Sequence, residues 1–256
     1  MDMHRETVTA RLAAGGYIAA DEEAAELIAA AAGDAAVLHA MLERRLTGEP
    51  LAWITGRTMF CGLELRIRRG VYVPRPHTEQ LAQRATRRLP AGGSAIDLCT
   101  GSGAVAAVLR AADPEAHVRA SDIDRAAVAC ARSNGVDAYQ GTLFDPLPEG
   151  TADVVTGVLP YVPTGELALL QRDTLAFESV HSYDGGADGL DVVRRAVRES
   201  PRRLRPGGAL LLELGAGQQR ALADDLAAAG YTDIRELRDL DGDLRGIEAT
   251  LGQPAG

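Results

Sequence analysis

The stretch Ile96-Asp97-Leu98-Cys99-Thr100-Gly101-Ser102-Gly103-Ala104-Val105-Ala106 decides the fold. Its first residues read as the end of a short apolar strand. The two glycines read as a tight turn, and the alanine-rich run after them as the start of a helix. Gly101-x-Gly103-x-x-Ala106 fits a nucleotide-binding strand–turn–helix, and Asp122 lies about 20 residues on, where an acid meets ribose hydroxyls. Two ligand classes suit such a loop, nicotinamide dinucleotides and S-adenosylmethionine. Asp97 separates them. A carboxylate at the strand end, before the glycines, repels a pyrophosphate and favours the sulfonium and ammonium of S-adenosylmethionine. Glycine at 101 and 103 admits a close backbone approach, and the two oxygens of Asp122 can accept both ribose hydroxyls. The residues favour S-adenosylmethionine.

Downstream of the loop the chain keeps alternating. Val118–Ser121 reads as the next strand, Arg125 to Ser133 as a helix, and Val154–Val155 and Ala209–Leu214 as further strands. This spacing predicts an α/β fold with a mostly parallel sheet covered on both faces. Upstream, the first residues to about Thr47 are alanine-rich and helical in pattern. Asp21 is expected to cap one helix, with Glu22 and Glu23 in its first turn, and Gly33 to stop it. Asp34 is expected to cap another, carrying Val37, Leu38, Met41, Leu42 and Leu46 at helical spacing, ended by Gly48 and Pro50. Between these regions Leu63, Leu65, Ile67, Val71 and Val73 alternate with Arg66, Arg68 and Arg69. They predict a pair of short strands turned at Gly70 and closed by Pro74 and Pro76.

The whole chain has 256 residues, is 46% hydrophobic and 25% charged, and carries a formal net charge of −9. That composition fits a soluble globular protein of one large domain, or one domain with a small accessory. Its acidity argues against general nucleic-acid binding, which needs a net basic face. All 27 cationic side chains are arginine, a bias of composition. The connector is locally basic, with Arg57, Arg66, Arg68, Arg69, Arg75, Arg84, Arg87 and Arg88 against Glu64 and Glu79. Facing a site mouth, it would guide an anionic partner. Cys61, Cys99 and Cys130 are an odd number with no metal-ligand spacing, which predicts a reducing, cytoplasmic compartment and no metal site. The charged start Met-Asp-Met-His-Arg-Glu lacks the apolar core of a signal peptide, and no apolar run approaches the ~18 residues of a membrane span.

The ordered motifs resemble the HemK-like release-factor (protein N5-glutamine) methyltransferases. Glu49-Pro50-Leu51-Ala52-Trp53-Ile54-Thr55-Gly56 is similar to the end of that family's helical domain, and Phe60-Cys61-Gly62-Leu63 to the opening of its hairpin. Val73-Pro74-Arg75-Pro76-His77-Thr78-Glu79 resembles a Pro-Arg-Pro-x-Thr-Glu motif. Asp97 to Gly103 and Ala120-Ser121-Asp122-Ile123-Asp124 resemble its cofactor segments. Asp184-Gly185-Gly186-Ala187-Asp188-Gly189-Leu190 and Arg205-Pro206-Gly207-Gly208 match later motifs. The resemblance implies a helical domain over residues 1–56, a β-hairpin linker over 57–76, and a seven-stranded Rossmann-like class I methyltransferase domain over 77–256. It implies S-adenosyl-L-methionine as cofactor, held by Asp97, Thr100, Gly101, Gly103, Asp122, Ile123, Thr142 and Leu143, and a release factor as partner.

Two positions depart from the family. Its Asn-Pro-Pro-Tyr signature falls on Val158-Leu159-Pro160-Tyr161, which keeps only Pro-Tyr, and Thr142 stands where an adenine-contacting acid is usual. In the family the Asn side chain and a backbone carbonyl grip the substrate amide while the Tyr packs on it. Here the resemblance puts Val158, Pro160 and Tyr161 at the reaction and Arg75, His77, Tyr161 and Glu178 on the substrate side. His77 replaces a usual acid, and His181 lies in the segment where the family has Glu-Pro-Arg. Cys99 reads as a small buried filler, and Trp53 and Phe60 as packing anchors. Three functions stay open on these residues: methylation of a glutamine amide in a protein such as a release factor, methylation of a small-molecule acceptor, and S-adenosylmethionine binding without catalysis.

Overall fold

The structure is a computed structural model that describes residues 2–170, 176–239 and 241–253. Four helices come first: α1 (Asp2–Ala14), α2 (Ala20–Ala31), α3 (Ala35–Leu46) and α4 (Leu51–Thr55). Val8, Leu12, Ala24, Leu27, Leu42 and Ile54 form their shared buried core, with Leu38, Met41 and Leu46 packed against it. The Asp34 carboxylate caps α3 as expected, accepting from the amides of Ala36 (2.8 Å) and Val37 (3.1 Å). Asp21 does not cap α2. That helix begins at Ala20 with Ala19 at the cap position, two residues before the expected one, and the Asp21 side chain turns to Arg5 and Thr9 of α1. An ion pair to a neighbouring helix has displaced the local cap.

Strands β1 (Arg57–Phe60) and β2 (Leu63–Arg66) pair antiparallel, with Phe60 opposite Leu63. The turn is therefore at Cys61-Gly62, with φ values of +49° and +76°, and not at Gly70. Val71 and Val73 lie outside any strand. Val71 is buried because it packs against Ala127 and Cys130, so its place in the alternation came from helix packing and not from a ladder. Trp53 ties this connector down, donating its indole N–H to the Val71 carbonyl at 2.8 Å.

The rest of the chain alternates as α5 (Glu79–Arg88), β3 (Ser94–Leu98), α6 (Ala104–Ala112), β4 (His117–Asp122), α7 (Arg125–Ser133), β5 (Asp137–Gln140) and β6 (Ala152–Gly157). It continues with α8 (Asp191–Glu199), β7 (Leu204–Glu213), α9 (Gln218–Ala221), α10 (Ala223–Ala228), β8 (Tyr231–Arg238) and β9 (Leu244–Leu251). Seven strands form one sheet in the order β5-β4-β3-β6-β7-β9-β8. β9 runs antiparallel to both neighbours, and the other pairings are parallel. After β3 the chain builds outward through β4 and β5, then returns to lay β6 on the other side. Such a reversal opens a crevice at the carboxyl ends of the strands.

Strand parity decides which side chains reach that crevice together. Ala95, Val154, Ala209 and Leu211 share one core with α5, α6 and α7. Ile96, Leu98, Val155, Leu210 and Leu212 share the other with α8 and α10. With a period of two, Asp97, Thr156 and Glu213 fall on the α5–α6 face, at or near the carboxyl ends of β3, β6 and β7. All three are buried polar residues.

Candidate active site

A cavity of about 560 Å³ lies over the carboxyl ends of β3, β4 and β6. One wall comes from the β3–α6 loop and the ends of β4 and β5. Asp97, Cys99, Thr100, Gly101, Asp122, Ile123, Thr142 and Leu143 line it, which gathers seven of the eight cofactor residues expected from sequence. Gly103 is the exception. A Cβ there would come within 3.0 Å of Ala131 Cβ and Val136 Cγ2, so this glycine lets α6 approach α7 and does not face the cavity. Gly101 has φ +58° and open space where its Cβ would stand, so its backbone is what the cavity meets. Ile123 is 65% exposed beside the cavity, an apolar platform at the end of β4.

Asp97 is buried, and both its oxygens have partners. Oδ1 accepts from the Thr156 hydroxyl at 2.7 Å and Oδ2 from the Thr100 hydroxyl at 2.6 Å. Burial pushes its carboxyl up to about 6 against the pull of those two donors. Asp122 accepts from the Gly101 amide and from the Asp124 amide, each at 2.9 Å. Burial again raises it, outweighing the backbone donors. The Gly101 bond makes Asp122 a holder of the glycine loop. Each of its oxygens keeps a lone pair for a further donor. No arginine lines this cavity among the described residues. Two carboxylates without a cationic partner suit a cationic ligand bearing hydroxyls and would repel a pyrophosphate.

The opposite wall carries Tyr72, Pro74, Thr78, Val158, Leu159, Pro160, Tyr161, His181 and Tyr183. Val158 is half-buried at the cavity and brings no polar side-chain atom, and Leu159 turns into the core. Tyr161 lines the cavity with its hydroxyl tied behind the wall, donating to Glu213 Oε1 at 3.0 Å. Burial and the Glu213 charge push this phenol well above its usual range, so it stays protonated.

Arg75, His77 and Glu178, expected on the substrate side, do not line this cavity. They stand behind it, each held in a part-buried ion pair or hydrogen bond. Arg75 donates to Glu178 at 2.6 Å and to the Tyr183 hydroxyl at 2.8 Å, and Glu178 also accepts from the Val73 amide at 3.0 Å and from Tyr183. This cluster straps the connector to the segment around residues 178–183. His77 Nε2 lies 3.2 Å from Glu213 Oε1, while the Thr78 hydroxyl donates to Glu213 Oε2 at 2.7 Å. Cys99 is partly buried, packs on the core as a small filler and also meets the cavity, with φ +51°. Arg66, Arg68 and Arg69 are exposed on the approach to Gly70, which lines the cavity.

Sequence reasoning missed Glu213 and Gln218. Glu213 had a visible signal, a lone acid closing the apolar run from Ala209 at a strand's carboxyl end. Gln218 had none. It sits in a short helix after β7, and its Nε2 donates to the Tyr161 carbonyl at 2.7 Å.

The family model "Methyltransferase small domain" matches residues 76–145. Among solved structures, the fold is similar to that of a methyltransferase from Pyrococcus furiosus, with a TM-score of 0.56 over 82% of this chain and 98% of that one at 19% identity. Sheet order, glycine loop and paired carboxylates define a class I methyltransferase that uses S-adenosylmethionine. The chain is 34% identical over 223 residues to the release factor glutamine methyltransferase of Geobacter sulfurreducens, covering 85% of this chain and 78% of that protein. It is 39% identical over 210 residues to the enzyme of the same name from Neisseria gonorrhoeae, covering 79% and 77%. The chain belongs to the release factor glutamine methyltransferase family. No helix among the described residues is long and apolar enough to cross a membrane.

Proposed function

We propose that the protein methylates the side-chain amide nitrogen of a glutamine in a peptide chain release factor, in the cytoplasm. The observation that carries this is the continuity of one cavity from the Asp97–Asp122 wall to the Pro160–Tyr161 segment, in a chain of this family. S-adenosylmethionine, when bound, would supply a methyl group: the N–C bond to the acceptor forms as the S–C bond breaks, the sulfur departs as a neutral thioether, and the proton displaced from the amide nitrogen passes to solvent. Asp97 would face its charged methionine portion and Asp122 its ribose, and Gly101 would open the backbone to it. Ile123, Thr142 and Leu143 would flank the adenine. Tyr161 packs on the planar acceptor amide, and backbone carbonyls near Leu159 and Pro160 accept its N–H groups. Alignment of acceptor and methyl is the main work, since positioning is worth roughly 7–11 kcal/mol in such displacements.

Val158 motivates a second reading. A family amide grip made by Asn is replaced by an apolar side chain, which suits a small-molecule acceptor that needs no such grip. Transfer of labelled methyl to a Gly-Gly-Gln-containing release factor tests the first reading. Label on the protein is the expected result. No label there, with label in a purified small-molecule fraction, selects the second.

A further inference from the structure

Tyr161 is fixed from two directions by residues that do not touch the cavity. Its hydroxyl donates to Glu213 Oε1 at 3.0 Å, and its carbonyl accepts from Gln218 Nε2 at 2.7 Å. Both clamps are buried, Glu213 at 1% exposure and Gln218 at 9%. Each is anchored in turn. Thr78 holds Glu213 through its other oxygen at 2.7 Å, and Gln218 Oε1 accepts from the Gly215 amide at 2.8 Å while its Nε2 also reaches the Asp188 carbonyl at 3.2 Å. The glycine motif at 185–189 closes the back of the segment. A Cβ on Gly185 would stand 2.7 Å from the Pro160 carbonyl oxygen, and one on Gly189 would run into the Tyr161 carbonyl.

We infer that Glu213 and Gln218 are positioning residues for methyl transfer, setting the ring and backbone of Tyr161 against the acceptor. The inference rests on the proposed function, because it takes Tyr161 as the acceptor-facing ring. The physical reason lies at Val158. With no side-chain amide there to grip the acceptor, orientation depends on the Tyr161 ring and nearby backbone carbonyls, and those are the groups the two clamps hold. A hydrogen bond to a charged acceptor is stronger and more directional than one to a neutral acceptor, which suits Glu213 to fixing a ring.

The test is a double-mutant cycle on the full chain, using labelled methyl transfer to the release factor. Glu213→Gln, Tyr161→Phe and Gln218→Met are each expected to lower kcat by about 10- to 100-fold, the range that misplacing a reacting group by up to about 1 Å costs. Cofactor affinity by calorimetry and acceptor KM are expected to stay within about twofold. The pair Glu213→Gln/Tyr161→Phe is expected to lose no more than Tyr161→Phe alone, because effects of residues acting through one bond do not add. A purely structural role would instead lower the melting temperature and leave kcat of the folded protein unchanged, and that result overturns the inference. So do multiplicative losses in the double mutant. Should Glu213→Gln fail to fold, Gln218→Met with its kcat and melting temperature decides alone. Absent turnover in the wild type is a different failure. It removes the proposed function, and the inference with it.

Discussion

Thr156 and Asp97 are register partners on the adjacent parallel strands β6 and β3, and the Thr156 hydroxyl donates to Asp97 Oδ1 at 2.7 Å. A buried carboxylate beside a cofactor site is thus supported from the neighbouring strand and from its own loop through Thr100. Two bonds are not enough to offset burial, and the Asp97 carboxyl stays at about 6.

That value makes the site sensitive to pH. Between the ordinary 3.8 and about 6, the folded cofactor-free protein holds a proton on Asp97 that the unfolded chain has lost. The Asp97 contribution to stability is therefore present below pH 4 and is lost as pH rises through 6. Asp97→Asn removes the buried charge together with one of the two acceptors, so the cofactor-free variant should lose the wild type's change of melting temperature between about pH 4 and 6. In the wild type the cationic cofactor favours the carboxylate, so affinity should fall as pH drops through about 6, with proton release on binding near that pH. Calorimetry in two buffers of different ionisation enthalpy measures both. An affinity that does not change between pH 5 and 8 (roughly) removes Asp97 from the cofactor's charged end.

Asp122→Ala removes the proposed acceptor for ribose together with the anchor of the Gly101 amide. Cofactor affinity should fall by roughly 10- to 100-fold, the equivalent of lost hydrogen bonds to a charged group. Asp122→Asn should lose less, because its carbonyl oxygen can still accept from one amide. Equal affinity in all three proteins, by titration, would rule the role out.

Val158→Asn restores a polar grip at a half-buried position on the cavity wall. If the acceptor is a glutamine amide, its methylation should rise by roughly one to two decades. Initial rates with a release factor measure this. A rate that stays at zero in the variant counts against a glutamine acceptor and for the small-molecule reading.

Glu178→Gln weakens the strap between the connector and the segment around residues 178–183. The Glu178 side chain is 2% exposed and that of Arg75 is 33% exposed. The loss should be on the order of 2–3 kcal/mol, below that for a fully buried pair because Arg75 is partly solvated. Chemical denaturation measures it. Cofactor affinity should change little, since neither residue lines the cavity.

Much of this protein was legible in the chain. Asp97, Gly101 and Asp122, grouped by sequence, do line one cavity, because a strand end, a glycine turn and the next strand end are local features at fixed spacing. The helix expected from Arg125 to Ser133 has those bounds, and the structure adds Asp124 as its cap. Local signals failed where a distant partner competed. Asp21 had the form of a cap but bonds Arg5, and Val71 kept strand spacing but packs on α7.

The sequence by itself determined the fold class, the cofactor and the family, since period-two and helical patterns, turn glycines and ordered motifs are properties of neighbouring residues. It also located the departure at Val158 and Leu159. Only the tertiary structure decided what those departures leave behind. Tyr161 and Glu213 are 52 residues apart in the chain, and Arg75 and Glu178 are 103 apart. Strand order brings the first pair together and the folded connector the second. The same packing moved Gly103, Arg75, His77 and Glu178 off the cavity wall and brought Glu213 and Gln218 behind it. Whether a polar side chain faces a ligand or supports the residue that does depends on which strands and helices become neighbours, and no local pattern carries that information.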